Sequence, residues 1–552
     1  MILTSCFSFS AFFRLMVAIL ILVSWVASQT ASIRFQNVAR SAGIDFILEN
    51  NPTPQKHAIE TMPGGVAAFD YDGDGLTDIY VTNGAAIPSM EKDSAKFYNR
   101  LYRNNGGMKF TDVTEQASVR GAGYSMGVAV ADYDNDGDVD IFIAGVNRNL
   151  LYRNTGKGRF EDATAQAAIQ SSTWSVAAGW FDYDNDGWLD LFIVNYAKWS
   201  LAYDQFCGDK EKGVRVYCHP KYFEGLPNTL YRNRGNGTFE DVSKRAGILK
   251  HASRGMSVAF ADYDEDGHID AFVTNDKLPN FLFRNRGNGT FEEMGLAAGV
   301  ALLEHGKPVS SMGVDFRDYD NDDLPDISVT ALASETFPLF HNDGGGFFTD
   351  KTFLSGLGPL SAPRSGWSNG LVDFNNDGWK DLFSANSHVN DRIELFEATE
   401  YKQPNSVFAN VGAGKFRDVS GEVGGGFEVA RAHRGSAFAD FNRDGRMDVV
   451  VTSLGESVEL WENVSPNDNH WLFIKLVGTR SNRDGIGTRI RIGSQSNLMT
   501  TSVGYASSSR HGVHFGLGNV PKIDKIEILW PSGKIQVLRD VTANQVLQVQ
   551  EN

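Results

Sequence analysis

One acidic nine-residue loop recurs seven times along the chain: DYDGDGLTD from Asp70, DYDNDGDVD from Asp132, DYDNDGWLD from Asp182, DYDEDGHID from Asp262, DYDNDDLPD from Asp318, DFNNDGWKD from Asp373 and DFNRDGRMD from Asp440. A repeat of this spacing restricts the fold to an array of like units, because each unit buries its apolar face only against its neighbours. Short Val- and Ile-rich runs flank every loop, as in GVAVADYD before and VDIFIAG after the second copy, and none carries helical spacing. Each loop therefore joins two β-strands.

A second motif falls between the loops: LYRNNGGMKF from Leu101, LYRNTGKGRF from Leu151, LYRNRGNGTF from Leu230, LFRNRGNGTF from Leu282, LFHNDGGGFF from Leu339 and VFANVGAGKF from Val407. It reads as strand, Gly/Asn turn, strand, since the Asn-Gly and Gly-Gly steps supply the positive φ of a tight hairpin. Four strands in ~50 residues is the size of a propeller blade. The seventh copy, LWENVSPNDN from Leu460, loses the turn glycines and the closing Phe, while Phe35-Gln36-Asn37-Val38 resembles Phe110-Thr111-Asp112-Val113. The missing strand is thus expected at the N-terminus, closing the ring and removing its exposed edges. The expected fold is all-β: a seven-bladed β-propeller over residues 32–463, then a small β-sandwich over 464–552.

In D-x-D-x-D-G-x-x-D the side chains at positions one, three, five and nine converge with the carbonyl of position seven, and glycine at six allows the sharp turn. Such hard oxygen donors suit Ca²⁺ better than Mg²⁺. The predicted ligands are Asp70, Asp72, Asp74, Asp78 and the carbonyl of Leu76; Asp132, Asp134, Asp136, Asp140 and that of Asp138; Asp182, Asp184, Asp186, Asp190 and that of Trp188. They continue with Asp262, Asp264, Asp266, Asp270 and the carbonyl of His268; Asp318, Asp320, Asp322, Asp326 and that of Leu324; Asp373, Asn375, Asp377, Asp381 and that of Trp379; Asp440, Asn442, Asp444, Asp448 and that of Arg446. An EF-hand would need a glutamate at position twelve, where Val81 and Ile143 stand in the first two copies. Turn-capping by Asp is the competing reading of one such loop. Seven in one register favour up to seven structural Ca²⁺, which would cancel most of the formal net charge of −17. Asn375 and Asn442 lower the ligand charge, and Asp323 replaces the glycine, so the last three sites are expected to be the weakest. The acidic balance disfavours nucleic acid.

The opening MILTSCFSFSAFFRLMVAILILVSWVASQTAS, with Arg14 ahead of a short apolar run, reads as a signal peptide over residues 1–28, its run being short for a membrane span. The protein is therefore expected to be secreted, extracellular or at a bacterial surface or periplasm, without a stable membrane span after cleavage. Of the three cysteines, Cys207 and Cys218 remain, and a disulfide between them is expected in an oxidising compartment. Asn236, Asn288 and Asn463 open N-x-S/T sequons.

The tail offers the strands WLFIKLVG, GTRIRIG, IEILWPSG and KIQVLRDV. Arg483, Asp484, Arg489, Arg510, His511 and His514 are either a ligand patch or residues of a turn and a strand face. The widest gap between loops, Tyr196 to Pro227, carries Trp199, Tyr203, Phe206, Tyr217 and Tyr222, placed either for contact with a sugar or protein or for packing on the rim.

The paired motifs resemble FG-GAP (VCBS-type) repeats, as in the integrin α-chain propeller. The set SNRDGIGTRI, HFGLG and WPSG resembles the ASPIC/UnbV domain, and the whole mature chain resembles the cartilage acidic protein family. The resemblance implies a secreted calcium-binding protein with matrix, surface or adhesion roles. Three functions compete: a binding or adhesion module for a protein or glycan, which is favoured because propeller loops ring two faces; a polysaccharide-active enzyme; and a structural matrix or envelope component. No GxSxG, HExxH, Walker or Rossmann motif stands in a convincing context, so no enzyme activity is expected.

Overall fold

The computed structural model describes residues 32–170, 173–203, 205–466 and 468–552; the signal peptide lies outside them. Among the described residues seven antiparallel four-strand blades follow one another. The first is built from Val66–Phe69, Asp78–Val81, Arg100–Asn104 and Phe110–Asp112. The first strand of each blade lies innermost and neighbours that of the next, and His433–Ala439 returns to Val66–Phe69, closing the ring. The seventh blade takes its outer strand from the N-terminus: Phe35 pairs with Asn463 and Asn37 with Trp461, antiparallel.

The inner strands run apolar on both faces because both faces are buried between blades, as in Tyr124–Ala131 and Ser175–Phe181. Phe181 stacks on Phe260 of the next blade at 4.4 Å between ring centroids. A Cβ at Gly179 would come within 2.3 Å of that Phe260 ring, so glycine there sets the distance between blades.

The tail forms two sheets, one of Val513–Gly518, His470–Val477 and Gln545–Gln550, the other of Gln495–Leu498, Arg489–Ile492, Lys522–Leu529 and Ile535–Thr542. Ile474, Ile490, Phe515, Ile526, Ile528 and Trp530 are buried in the core these sheets share.

Between them the tail sends a hairpin, Ser502–Val503 and Ser507–Arg510, into the propeller's central channel. Ala67, Ala68 and Phe69 pair in parallel with Ser508, Ser509 and Arg510, extending the first blade's sheet. Inner-strand N–H groups that face the channel donate to the hairpin: Val128 to the carbonyl of Ala506 (3.0 Å), Val66 to Ser507 Oγ (3.2 Å), Val130 to Ser508 Oγ (3.2 Å) and Phe438 to Ser509 Oγ (2.9 Å). Gly504 exchanges backbone hydrogen bonds with Val314, and Tyr505 N–H donates to Ser368 Oγ at 2.9 Å. A run of small hydroxyl residues suits this position, because it fits a narrow channel and satisfies backbone donors that no neighbouring strand reaches. A Cβ at Gly65 would sit 2.4 Å from the Ala506 carbonyl. The tail is therefore keyed into the propeller.

Candidate functional site

All seven acidic loops lie at one end of the ring, each between the first and second strands of its blade, and share one internal hydrogen-bond pattern. The position-six N–H donates to the position-one carboxylate, as from Gly75 to Asp70 (2.8 Å) and Gly187 to Asp182 (2.9 Å). The position-nine carboxylate accepts two backbone N–H groups, as Asp78 does from Tyr71 (2.9 Å) and Asn104 (2.7 Å). That asparagine closes every copy of the second motif start, and its side chain ties neighbouring blades together. Asn104 Nδ2 donates to the carbonyl of Phe441, Asn154 to Tyr71, Asn233 to Tyr133, Asn285 to Tyr183, Asn342 to Tyr263, Asn410 to Tyr319 and Asn463 to Phe374. The circle is complete, and each link joins one loop to the loop before it. Asn463 is fully buried in this role, so its sequon is closed to a glycan, whereas Asn236 and Asn288 lie in exposed turns.

The position-three carboxylates carry the signal for a cation. Oδ1 of Asp72, Asp134, Asp184, Asp264 and Asp320 is buried without a hydrogen-bond partner, as is Oδ1 of Asp70. Ligand atoms of Asp70, Asp72 and Asp78 lie within 4.8 Å of one another, and equivalent clusters form at Asp132, Asp134 and Asp136, at Asp182, Asp184 and Asp190, and at Asp262, Asp264 and Asp270. Buried oxygens left unpaired cost free energy, and a divalent ion taking six to eight oxygens would satisfy them. The residues present fit Ca²⁺. Without an ion the loops favour protons: burial pushes Asp78 up to about 8 and Asp182 to about 7, and burial with the adjacent Asp484 takes Asp132 to about 8. Burial likewise raises Asp140, Asp190, Asp270, Asp381 and Asp448 well above the usual carboxylate range.

The third residue of the second motif, which sequence reasoning passed over, lies across its own loop. Arg103 pairs with Asp72 (2.7 Å) and Asp74 (3.0 Å), Arg232 with Asp184 (2.7 Å) and Asp186 (3.0 Å), and Arg284 with Asp264 (2.6 Å) and Asp266 (3.3 Å). Arg153 of blade two pairs with Glu161 instead. The last three loops differ, as their sequences do. Asn375 and Asn442 turn Nδ2 toward Asp377 (2.9 Å) and Asp444 (3.1 Å), replacing a cation-binding oxygen by a donor. Asp323 holds the left-handed conformation of the glycine it replaces, at φ 79°.

The polar residues nominated in the tail dock it on this loop-bearing face. Asp484 accepts the Asp132 N–H at 3.0 Å and pairs with Arg510; Arg483 lies 3.7 Å from Asp132; Arg489 pairs with Glu265 at 2.7 Å. Arg491, which was not singled out, holds Asp323, its Nε 2.6 Å from Oδ1. His511 and His514 pack against Phe473, and burial pushes both down to about 3, so they stay neutral. These residues form an internal joint between the tail and the propeller, which neither sequence reading described.

The opposite face carries the long insertion. Cys207 and Cys218 are bonded, with Cα atoms 5.2 Å apart. Its aromatic residues divide: Trp199 packs on Trp174 and His57, and Tyr203 on Phe223, whereas Tyr222 is exposed and Phe206 meets the cations of Lys210 and Arg215. Tyr217 donates to the buried Glu60 at 3.0 Å and walls a cavity of about 310 Å³ with Tyr196, Trp367, His388, Asp276 and Glu335. The hairpin tip lies beneath, where Tyr505 donates to the Met62 carbonyl (2.8 Å) and its ring sits 4.9 Å from that of Trp367. The plug thus turns an open channel into a blind pocket.

The family described as FG-GAP-like repeat matches residues 70–143, 132–193, 222–273, 264–329 and 373–451, and that described as ASPIC and UnbV matches residues 478–552. The chain is similar to cartilage acidic protein 1 of Mus musculus, 25% identical over 337 residues, covering 59% of this chain and 49% of that protein. It is similar also to cartilage acidic protein 1 of Homo sapiens, 24% identical over 336 residues, covering 59% and 48%. The chain spans about half the length of the curated relatives it matches. A solved structure titled for specific recognition of non-reducing terminal N-acetylglucosamine by an Agrocybe aegerita lectin aligns over 72% of this chain and 87% of that one, at 16% identity and a TM-score of 0.40. A likeness of that score supports no inference about function.

Proposed function

Since the chain belongs to the FG-GAP-like repeat family, carries an ASPIC and UnbV domain and is a relative of cartilage acidic protein 1, we propose that it is a secreted binding module, stiffened by structural Ca²⁺, that presents one propeller face to an extracellular protein or glycan. The supporting observation is the asymmetry of the two faces. The loop-bearing face is covered by the tail, while the other holds a pocket with aromatic walls and carboxylates. Pockets of this size with a few placed polar groups suit small ligands or the tip of a larger one. The module carries out no chemistry in this reading. The competing polysaccharide-active reading has one observation in its favour: Asp276 and Glu335 line one cavity, and burial takes Asp276 up to about 6, in the range of a general acid.

A glycan and surface-protein screen, run with calcium and then with chelator, tests the proposal. Saturable binding lost on Tyr217→Ala, with an unchanged melting temperature, supports it. Binding indifferent to Tyr217→Ala but lost when the exposed edge of the tail is altered overturns it, and turnover of any glycan in the panel selects the enzyme reading.

A further inference from the structure

The fifth loop departs from the others at several points that bear on one question, which ion it holds. Where blades one to four carry Arg, the fifth carries His341, whose Nδ1 lies 3.2 Å from Asp326 and 3.5 Å from Asp320. Its Nε2 lies 3.8 Å from Asp322 and 3.6 Å from Asp343. Asp343 is itself particular to this blade, standing where the other copies have Asn105, Thr155, Arg234, Arg286, Val411 and Val464. One ligand atom each from Asp320, Asp322 and His341 lies within 4.8 Å of the other two, and Oδ1 of Asp320 is buried without a partner.

The loop is also wound differently. Asp318 Oδ1 accepts the N–H of Asn321, at position four, whereas in loops two, three, four, six and seven the position-one Oδ1 accepts that of position five. Asp323 turns its carboxylate out to Arg491 and so adds nothing to the inner shell.

Carboxylate and carbonyl oxygens suit calcium, whereas imidazole nitrogen favours first-row ions such as zinc. We propose that blade five holds a zinc-class divalent ion through His341, Asp320 and Asp322, in an array whose first four loops are built for calcium. This rests on the reading of the acidic loops as cation sites. In blades one, three and four the guanidinium can only neutralise the loop, whereas His341, its Nδ1 hydrogen-bonded to Asp326 at 3.2 Å, has Nε2 to offer an ion once the ring gives up its second proton.

The test uses the full mature chain, stripped with chelator, re-equilibrated in millimolar CaCl₂ with stoichiometric ZnCl₂, then desalted and analysed for metals. The proposal expects one zinc per chain beside several calcium ions, and His341→Arg to lose the zinc with its calcium retained. Cobalt(II)-loaded wild-type protein gives a second reading that needs no variant, since cobalt bound to imidazole shifts the ring N–H proton far outside the normal NMR range. Calcium without zinc overturns this inference and leaves the cation reading of the loops standing; neither metal overturns both. Zinc kept by His341→Arg, or cobalt-loaded protein without a shifted imidazole proton, places the ion elsewhere and overturns the assignment.

Discussion

Replacing Ser507, Ser508 and Ser509 together by Ala removes the hydroxyls that meet the inner strands of blades one, two and seven. Three backbone donors, the N–H groups of Val66, Val130 and Phe438, then lose their acceptors. Water does not replace these, because Val66, Val130 and Phe438 are at most 2% exposed. An orphaned buried donor costs about 1–3 kcal/mol, so the triple variant stands to lose roughly 3–9 kcal/mol. Neighbouring effects are not strictly additive, which favours the lower end. That is a large share of the ~5–15 kcal/mol by which a native domain is stable. Guanidinium unfolding followed by tryptophan fluorescence and near-ultraviolet circular dichroism reads the effect. Propeller and tail should unfold in one transition in the wild type, and its midpoint should fall in the variant; Ser509→Ala alone gives a smaller shift of the same sign if the triple variant does not fold. A midpoint within ~0.5 kcal/mol of wild type, the scale of an ordinary surface substitution, or a tail that melts separately from an unchanged propeller, would refute the keyed assembly.

Two further outcomes follow from the loops. In chelator, carboxylates whose folded values stand at about 7 to 8, such as Asp78, Asp132 and Asp182, lie above their unfolded value near 3.9. Their stabilising protons are therefore fully in place below that value and are lost as pH rises through the folded values, so the metal-free melting temperature should fall from pH 5 to pH 8. With calcium, which binds the ionised form, it should rise over the same interval; parallel curves in both buffers would contradict the carboxylate account. Asn410→Ala removes the Nδ2 donor shared by the carbonyls of Tyr319 and Lys380. A loss of about 1–3 kcal/mol in chemical denaturation is expected, and no loss would deny the inter-blade links a role in stability.

The ring was legible because its determinants are local and repeated. The loop register, the hairpin glycines and the orphan strand at Phe35 each appear in a short stretch of chain, and the Cys207–Cys218 pair closes a short loop. The asparagine of each second motif was visible as a recurrent residue, yet its partner lies some 80 to 100 residues back, or more than 300 residues on for Asn104, so its linking role emerged only with the blades assembled. The tail was harder. Arg483, Asp484 and Arg510 look alike in sequence whether they meet solvent, a ligand or another domain, and their partners lie hundreds of residues away. The run Ser507-Ser508-Ser509 likewise has no apolar alternation to mark it as buried, because it fills its place with hydroxyls in place of hydrocarbon.

Divalent ions in the acidic loops would complete the unpaired oxygens of the position-three carboxylates. Anomalous diffraction from a crystal grown in millimolar calcium tests it directly. The expected result is a calcium peak in each of the first four loops, about 2.3–2.6 Å from Oδ1 of Asp72, Asp134, Asp184 and Asp264. Loops filled by water or by the guanidinium groups of Arg103, Arg232 and Arg284, with no anomalous signal, would contradict it.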